Sequence, residues 1–174
     1  MGFRKIGPIK NEDLEALASS FLRMSGIKTL RFQMELLYLV KREGFEKLGS
    51  CLSKLYSLEN LDLGLIETEK MTDRELGIIL KAISNLPLLN TLKLDFSRSK
   101  ALHEDTFVHL ATCLPKLKKL HTFSLNLTKC EISLKDEKAE KLLESISKLD
   151  KLQVIDFGFG LEEQYASHLV ENIS

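Results

Sequence analysis

Three cysteines and four histidines are the residues from which a metal or redox centre would be assembled. Cys51, Cys113 and Cys130 contain no C-x-x-C pair, and His103, His109, His121 and His168 show no ligand spacing to them or to one another. Three thiols are odd and sparse, which suits a reducing compartment better than a disulfide-stapled secreted domain. His103 and Thr106 stand at the start of a helical pattern, where a cap or a solvent-facing role is expected. Neither G-x-G-x-x-G nor G-x-x-x-x-G-K occurs, so no phosphate-cradling loop is present. Any acidic pair picked from 25 carboxylates would be arbitrary. No catalytic constellation emerges, and no enzyme activity, cofactor, metal or small-molecule substrate is expected.

The bulk composition narrows the partners. The 174 residues carry 25 basic and 25 acidic side chains, a formal net charge of zero. A dedicated binder of nucleic acid or of an anionic membrane would show a basic excess. With 44% hydrophobic and 29% charged residues the chain is a globular protein, and with 7% aromatics and no Trp its core must be aliphatic. No run approaches the roughly 18 apolar residues of a membrane span. The N-terminus lacks a signal-peptide core, and Ile6 stands where a myristoylation pattern wants Ser or Thr. A transit peptide over residues 1–10, which carry Arg4, Lys5 and Lys10, is disfavoured by Glu12 and Asp13 just beyond. An intracellular, cytoplasmic setting is the expectation.

The elements that would position any site follow from an internal repeat. Five segments place apolar residues at relative positions 1, 4, 6 and 8, with second members Leu30, Leu61, Leu92, Phe123 and Ile155. These markers recur at intervals of 31, 31, 31 and 32 residues. Apolar and polar residues alternate through each segment, as in a half-buried strand. Upstream, at 16, 13, 9 and 6 residues before each marker, lie sets such as Phe45/Leu48/Leu52/Leu55 and Leu76/Ile79/Ile83/Leu86, which fall on one helical face. Thr72 followed by Glu75 predicts a capping box. One helix and one strand cannot bury their apolar faces alone, whereas stacked units can. The prediction is an α/β solenoid: a curved right-handed β-α superhelix with a parallel concave sheet of about five strands and helices on the convex side. Residues 1–10 form an N-terminal segment, 11–160 the repeats and 161–174 a capping helix.

The pattern Leu58-x-x-Leu61-x-Leu63 and its four counterparts resembles the leucine-rich repeat proteins. The long period looks most like their ribonuclease-inhibitor subclass. The resemblance implies partner binding on the concave sheet and no catalysis by itself. It also exposes a departure. The family's buried Asn or Cys falls here on Glu35, Ile66, Ser97, Thr128 and Gly160, so no Asn ladder forms and irregular loops are expected after the strands.

Two surfaces are readable as partner-binding candidates. Residues between the strand leucines line the concave face: the row Arg31, Asp62, Lys93, Ser124, Asp156, flanked by rows that include Asp95 and Asn126. Lateral pairing of Arg31, Asp62 and Lys93, worth about 0–1 kcal/mol per pair, is the plainer reading of that row. The second candidate is the run Leu36, Leu37, Tyr38 and Leu39 in the first return loop, where the other loops are polar. It would either face a partner or pack on Phe3 and Ile6. Ser20, Cys51, Ala82, Cys113 and Ser145 share a small-residue column expected to let neighbouring helices pack closely. The expected function is a non-catalytic protein-protein interaction module or scaffold subunit, with activation of a small GTPase as the alternative reading.

Overall fold

The computed structural model describes residues 1–24, 26–133 and 137–158. Strands and helices alternate: β1 (Gly2–Ile6), α1 (Asn11–Leu22), β2 (Thr29–Glu35), α2 (Arg42–Leu52), β3 (Asn60–Ile66), α3 (Asp73–Ile83), β4 (Thr91–Asp95), α4 (Asp105–Cys113), β5 (Thr122–Asn126), α5 (Glu137–Ser147) and β6 (Val154–Gly158). A 3-10 turn, Leu114–Lys116, extends α4. All strands pair in parallel in sequence order. Leu30, Leu61, Leu92, Phe123 and Ile155 stand side by side on adjoining strands. The helices pack in the same order, each against the next. Strand leucines and helical stripes share one apolar core, in which the helical sets of the second, third and fourth repeats are buried throughout.

The sheet has six described strands rather than about five. Residues 2–6 do not simply shield the first helix; they add β1 to the sheet edge, with Phe3 beside Phe32. The register explains why the repeat pattern misses them. Phe3 and Phe32 are 29 residues apart, off the 31-residue period, and Lys5 takes the position where each full repeat has an apolar residue. The expected capping helix lies outside the described residues, as do Phe159 and Gly160.

The loops after the strands are regular, which corrects the expectation drawn from the missing Asn ladder. Leu36, Glu67, Arg98 and Lys129, each six residues past a marker, have φ of 62°, 56°, 62° and 62°. Left-handed backbone costs a non-glycine residue on the order of 1 kcal/mol. Hydrogen bonds between repeats offset it: the N–H groups of Leu36, Glu67 and Arg98 donate to the carbonyls of Ile66, Ser97 and Thr128 at 3.2, 2.9 and 2.9 Å. The turn swings the following residue inward. A ladder therefore exists, two positions later than the family pattern puts it. Its members are Leu37, Thr68, Ser99 and Cys130, the first three fully buried. The Thr68 and Ser99 hydroxyls bond at 2.7 Å, Ser99 Oγ accepts the Thr68 N–H at 3.3 Å, and Cys130 Sγ donates to the Phe96 carbonyl at 3.2 Å.

That arrangement is asymmetric, and the asymmetry is testable. Ser99→Ala strands both the hydroxyl and the N–H of Thr68, whereas Thr68→Val leaves Ser99 Oγ still accepting the N–H of residue 68. We expect Ser99→Ala to cost about 1–3 kcal/mol and Thr68→Val less, measured by urea unfolding. Equal costs would mean that the backbone bond is not held by Ser99.

Helix entries are joined across repeats by a second device. Asn11 Oδ1 accepts the Lys41 N–H at 2.8 Å, the Asp73 carboxylate accepts the His103 N–H at 3.2 Å, and Glu104 Oε1 accepts the Ser133 N–H at 3.1 Å. Thr106, buried, donates its hydroxyl to Asp73 at 2.6 Å and does not face solvent. The predicted capping box at α3 is present: Thr72 Oγ1 accepts the Arg74 N–H and Glu75 accepts the Thr72 N–H. Among the described residues no helix is long and apolar enough to cross a membrane.

Candidate interaction surface

Strand alternation sends every second side chain away from the helices, onto the open face of the sheet. The predicted row is assembled as expected, with Arg31, Asp62, Lys93, Ser124 and Asp156 in lateral register. Its pairing differs from the simple charge alternation. Arg31 Nε donates to Asp62 Oδ2 at 2.8 Å, and Gln33 Nε2 approaches Asp62 Oδ1 at 3.4 Å, so Asp62 is engaged from the β2 side. Lys93 does not complete an Arg31–Asp62–Lys93 chain. It is exposed and forms no ion pair among the described residues. Ser124 Oγ donates to Asp156 Oδ2 at 3.0 Å.

Two of the predicted contact residues are occupied by the fold itself. Asp95 Oδ1 accepts the Ser97 N–H and Asn126 Oδ1 the Thr128 N–H, each at 3.0 Å. These are short turns that end β4 and β5 before the left-handed residue. Gly64 and Gly158 let neighbours fold across the sheet: a Cβ at Gly64 would lie 3.2 Å from Gln33 Cγ, and one at Gly158 would lie 2.8 Å from Asn126 Oδ1. The open face carries two depressions of about 350 and 360 Å³, and Lys93 lines both.

The apolar loop divides. Leu37 is fully buried in the core, Leu36 is half-buried, and Tyr38 and Leu39 remain exposed at 37% and 38%. Leu37 is therefore a ladder residue, not surface. Phe3, offered by the sequence as a cover for this loop, instead stacks on Phe32 with ring centroids 5.8 Å apart.

The thiols are packing groups. Cys51 and Cys113 are buried, and burial pushes both thiols up, Cys113 to about 12. Burial also raises Cys130. All three are protonated at neutral pH and thus poor nucleophiles. Among the described residues no three His, Cys, Asp or Glu side chains gather closely enough to hold a metal ion.

No protein-family model matches the chain, and no curated protein matches it. Solved structures do. The C-terminal domain of tropomodulin from Caenorhabditis elegans aligns with a TM-score of 0.64 at 16% identity, over 92% of this chain and 90% of that one. Leiomodin-1 actin-binding site 2 aligns with a TM-score of 0.61 at 11% identity, over 93% of this chain and 85% of that one. These matches correct the ribonuclease-inhibitor-like assignment, which rested on the long period with a full helix in each unit. The chain shares the leucine-rich-repeat-like α/β fold of the tropomodulin and leiomodin domains.

Proposed function

We propose that the chain is a non-catalytic protein-interaction module, a right-handed solenoid whose concave sheet receives a polar segment of a protein partner. The observation that carries this reading is Lys93. It is an exposed cation without an ionic partner among the described residues, set between two depressions on a face otherwise braced by its own cross-strand bonds. A braced surface loses little side-chain entropy when a partner docks, and its unpaired charge selects an acidic group on that partner. Asp62 and Asp156 border the depressions, Asp95 and Asn126 hold the strand ends, and Tyr38 and Leu39 are exposed apolar side chains in the first return loop. Actin is the partner to test first, because one structure of the same fold is an actin-binding site of leiomodin-1. Small-GTPase activation gains no support: its handle, Arg31, is tied to Asp62.

The test is binding of the purified chain to monomeric and filamentous actin, by calorimetry and co-sedimentation, with Lys93→Glu alongside. Saturable binding that Lys93→Glu weakens about tenfold or more supports the reading. Binding that Lys93→Glu leaves unchanged removes the open face from it, and no binding removes actin.

A further inference from the structure

The helix-covered side of the molecule carries a second surface that the open sheet does not explain. A groove of about 550 Å³, within the usual range of ligand sites, runs between α3 and α4. Its α3 wall is a single stripe, Arg74, Gly77, Ile78 and Lys81, at steps of three, four and seven residues. Across from it α4 and the 3-10 turn contribute Asp105, His109, Thr112 and Lys116, again one helical face.

The lining carries three cations, Arg74, Lys81 and Lys116, against two carboxylates, Asp73 and Asp105. Cys113, buried, and Ile78, half-buried, are the groove's apolar lining, and Ile78 also turns its Cγ2 toward Gly49 of α2, where a Cβ would lie 3.2 Å away. His109 lies where a side chain at Gly77 would be: a Cβ there would come within 2.7 Å of the imidazole Cε1. Gly77 thus lets the ring fold over α3 while the groove stays open alongside. Both acids on the walls have partners, although only Asp105 has a cationic one and the charge of Asp73 stays in the groove. Asp73 accepts from His103 and Thr106, and Asp105 pairs with Lys138 at 2.9 Å. Arg74, Lys81 and Lys116 are exposed and form no ion pair among the described residues. Arg74 and Lys81 are seven residues apart on α3, about 10 Å along the axis at 1.5 Å per residue.

We infer that this groove docks an amphipathic acidic helix of a protein partner, with an apolar side chain against the Ile78 and Cys113 lining and carboxylates two turns apart against Arg74, Lys81 and Lys116. A helix presents residues i and i+7 about 10 Å apart on one face, with i+3 and i+4 between them, which matches the cation–apolar–cation order of the α3 stripe. Charge complementarity selects acidic over basic segments and makes the contact salt-sensitive.

The probe is a fluorescein-labelled helical peptide of about 16 residues with Glu at i and i+7 and Leu at i+3 and i+4, and a counterpart with Lys replacing both Glu. Fluorescence polarisation on the full chain is expected to show saturable, salt-sensitive binding of the Glu peptide and none of the Lys peptide. Lys81→Glu with Lys116→Glu should weaken it tenfold or more, and Lys81→Ala with Lys116→Ala by less, with unchanged circular dichroism. Lys93→Glu should leave peptide binding intact, which separates this site from the open sheet face. The inference is overturned by no saturable binding, by equal binding of the two peptides, or by a folded charge-reversed variant that binds as wild type. Capture of anionic phospholipid vesicles without peptide binding would likewise overturn it.

Discussion

Phe32→Ala is expected to lower stability by about 3–5 kcal/mol, the largest loss from a single side chain at the N-terminal end of the sheet. Phe32 is fully buried on β2 and joins two elements at once. Its ring stacks on Phe3 of β1 at 5.8 Å and meets Phe21 of α1 edge-on at 5.2 Å and 90°. Truncation removes the transferred apolar area, leaves a cavity and cancels both ring contacts, each worth about 0.5–1.5 kcal/mol beyond burial. In a repeat stack each unit is held mainly by its neighbours, so the damage should be local first. Urea unfolding should report the loss. Hydrogen exchange should show faster opening at Phe3–Lys5 and along α1 than at β4 or β5. A uniform rise in exchange across the chain would show that the sheet unfolds as one unit and that Phe32 has no special tie to β1.

Leu37→Ser should cost about 2–5 kcal/mol, while Tyr38→Ser, one residue away, should cost about 1 kcal/mol or less. The two lie in one apolar run, and only the turn separates them. The left-handed Leu36 rotates Leu37 into the inter-repeat ladder and leaves Tyr38 and Leu39 at the surface. Serine at 37 would stand in the position equivalent to Thr68 and Ser99, so its hydroxyl need not be stranded, but the space vacated by leucine remains. Differential scanning calorimetry of the two variants decides the matter. A Leu37→Ser protein as stable as wild type would return Leu37 to the surface and reopen the whole loop as a contact.

Much of the architecture was legible because hydrophobic burial is written into spacing. The alignment of Leu30, Leu61, Leu92, Phe123 and Ile155, and the one-sided stripes of α2 to α4, follow from a constant period and from helix and strand geometry. The Thr72–Glu75 box was legible for the same reason, since its partners are three residues apart. The ladder escaped notice because its left-handed residues are Leu, Glu, Arg and Lys, none of which advertises a positive φ as Gly or Asn would. The column Thr68, Ser99, Cys130 was nonetheless present, masked in the first repeat by Leu37. Strand β1 escaped because it follows the sheet without following the period.

Residue order alone thus determined the stacking units and which side chains face inward, since removing apolar area from water leaves one consistent arrangement for a pattern held over five units. The tertiary structure decided which charges find partners. Asp62 turns to Arg31 and not to Lys93, Asp73 and Asp105 are drawn toward α4 and α5, and the cations between α3 and α4 are left over. Exposed charges have several neighbours within reach at energies differing by less than about 1 kcal/mol, so spacing cannot choose among them. The folded geometry does, bringing Arg31 to 2.8 Å from Asp62 and Lys138 to 2.9 Å from Asp105.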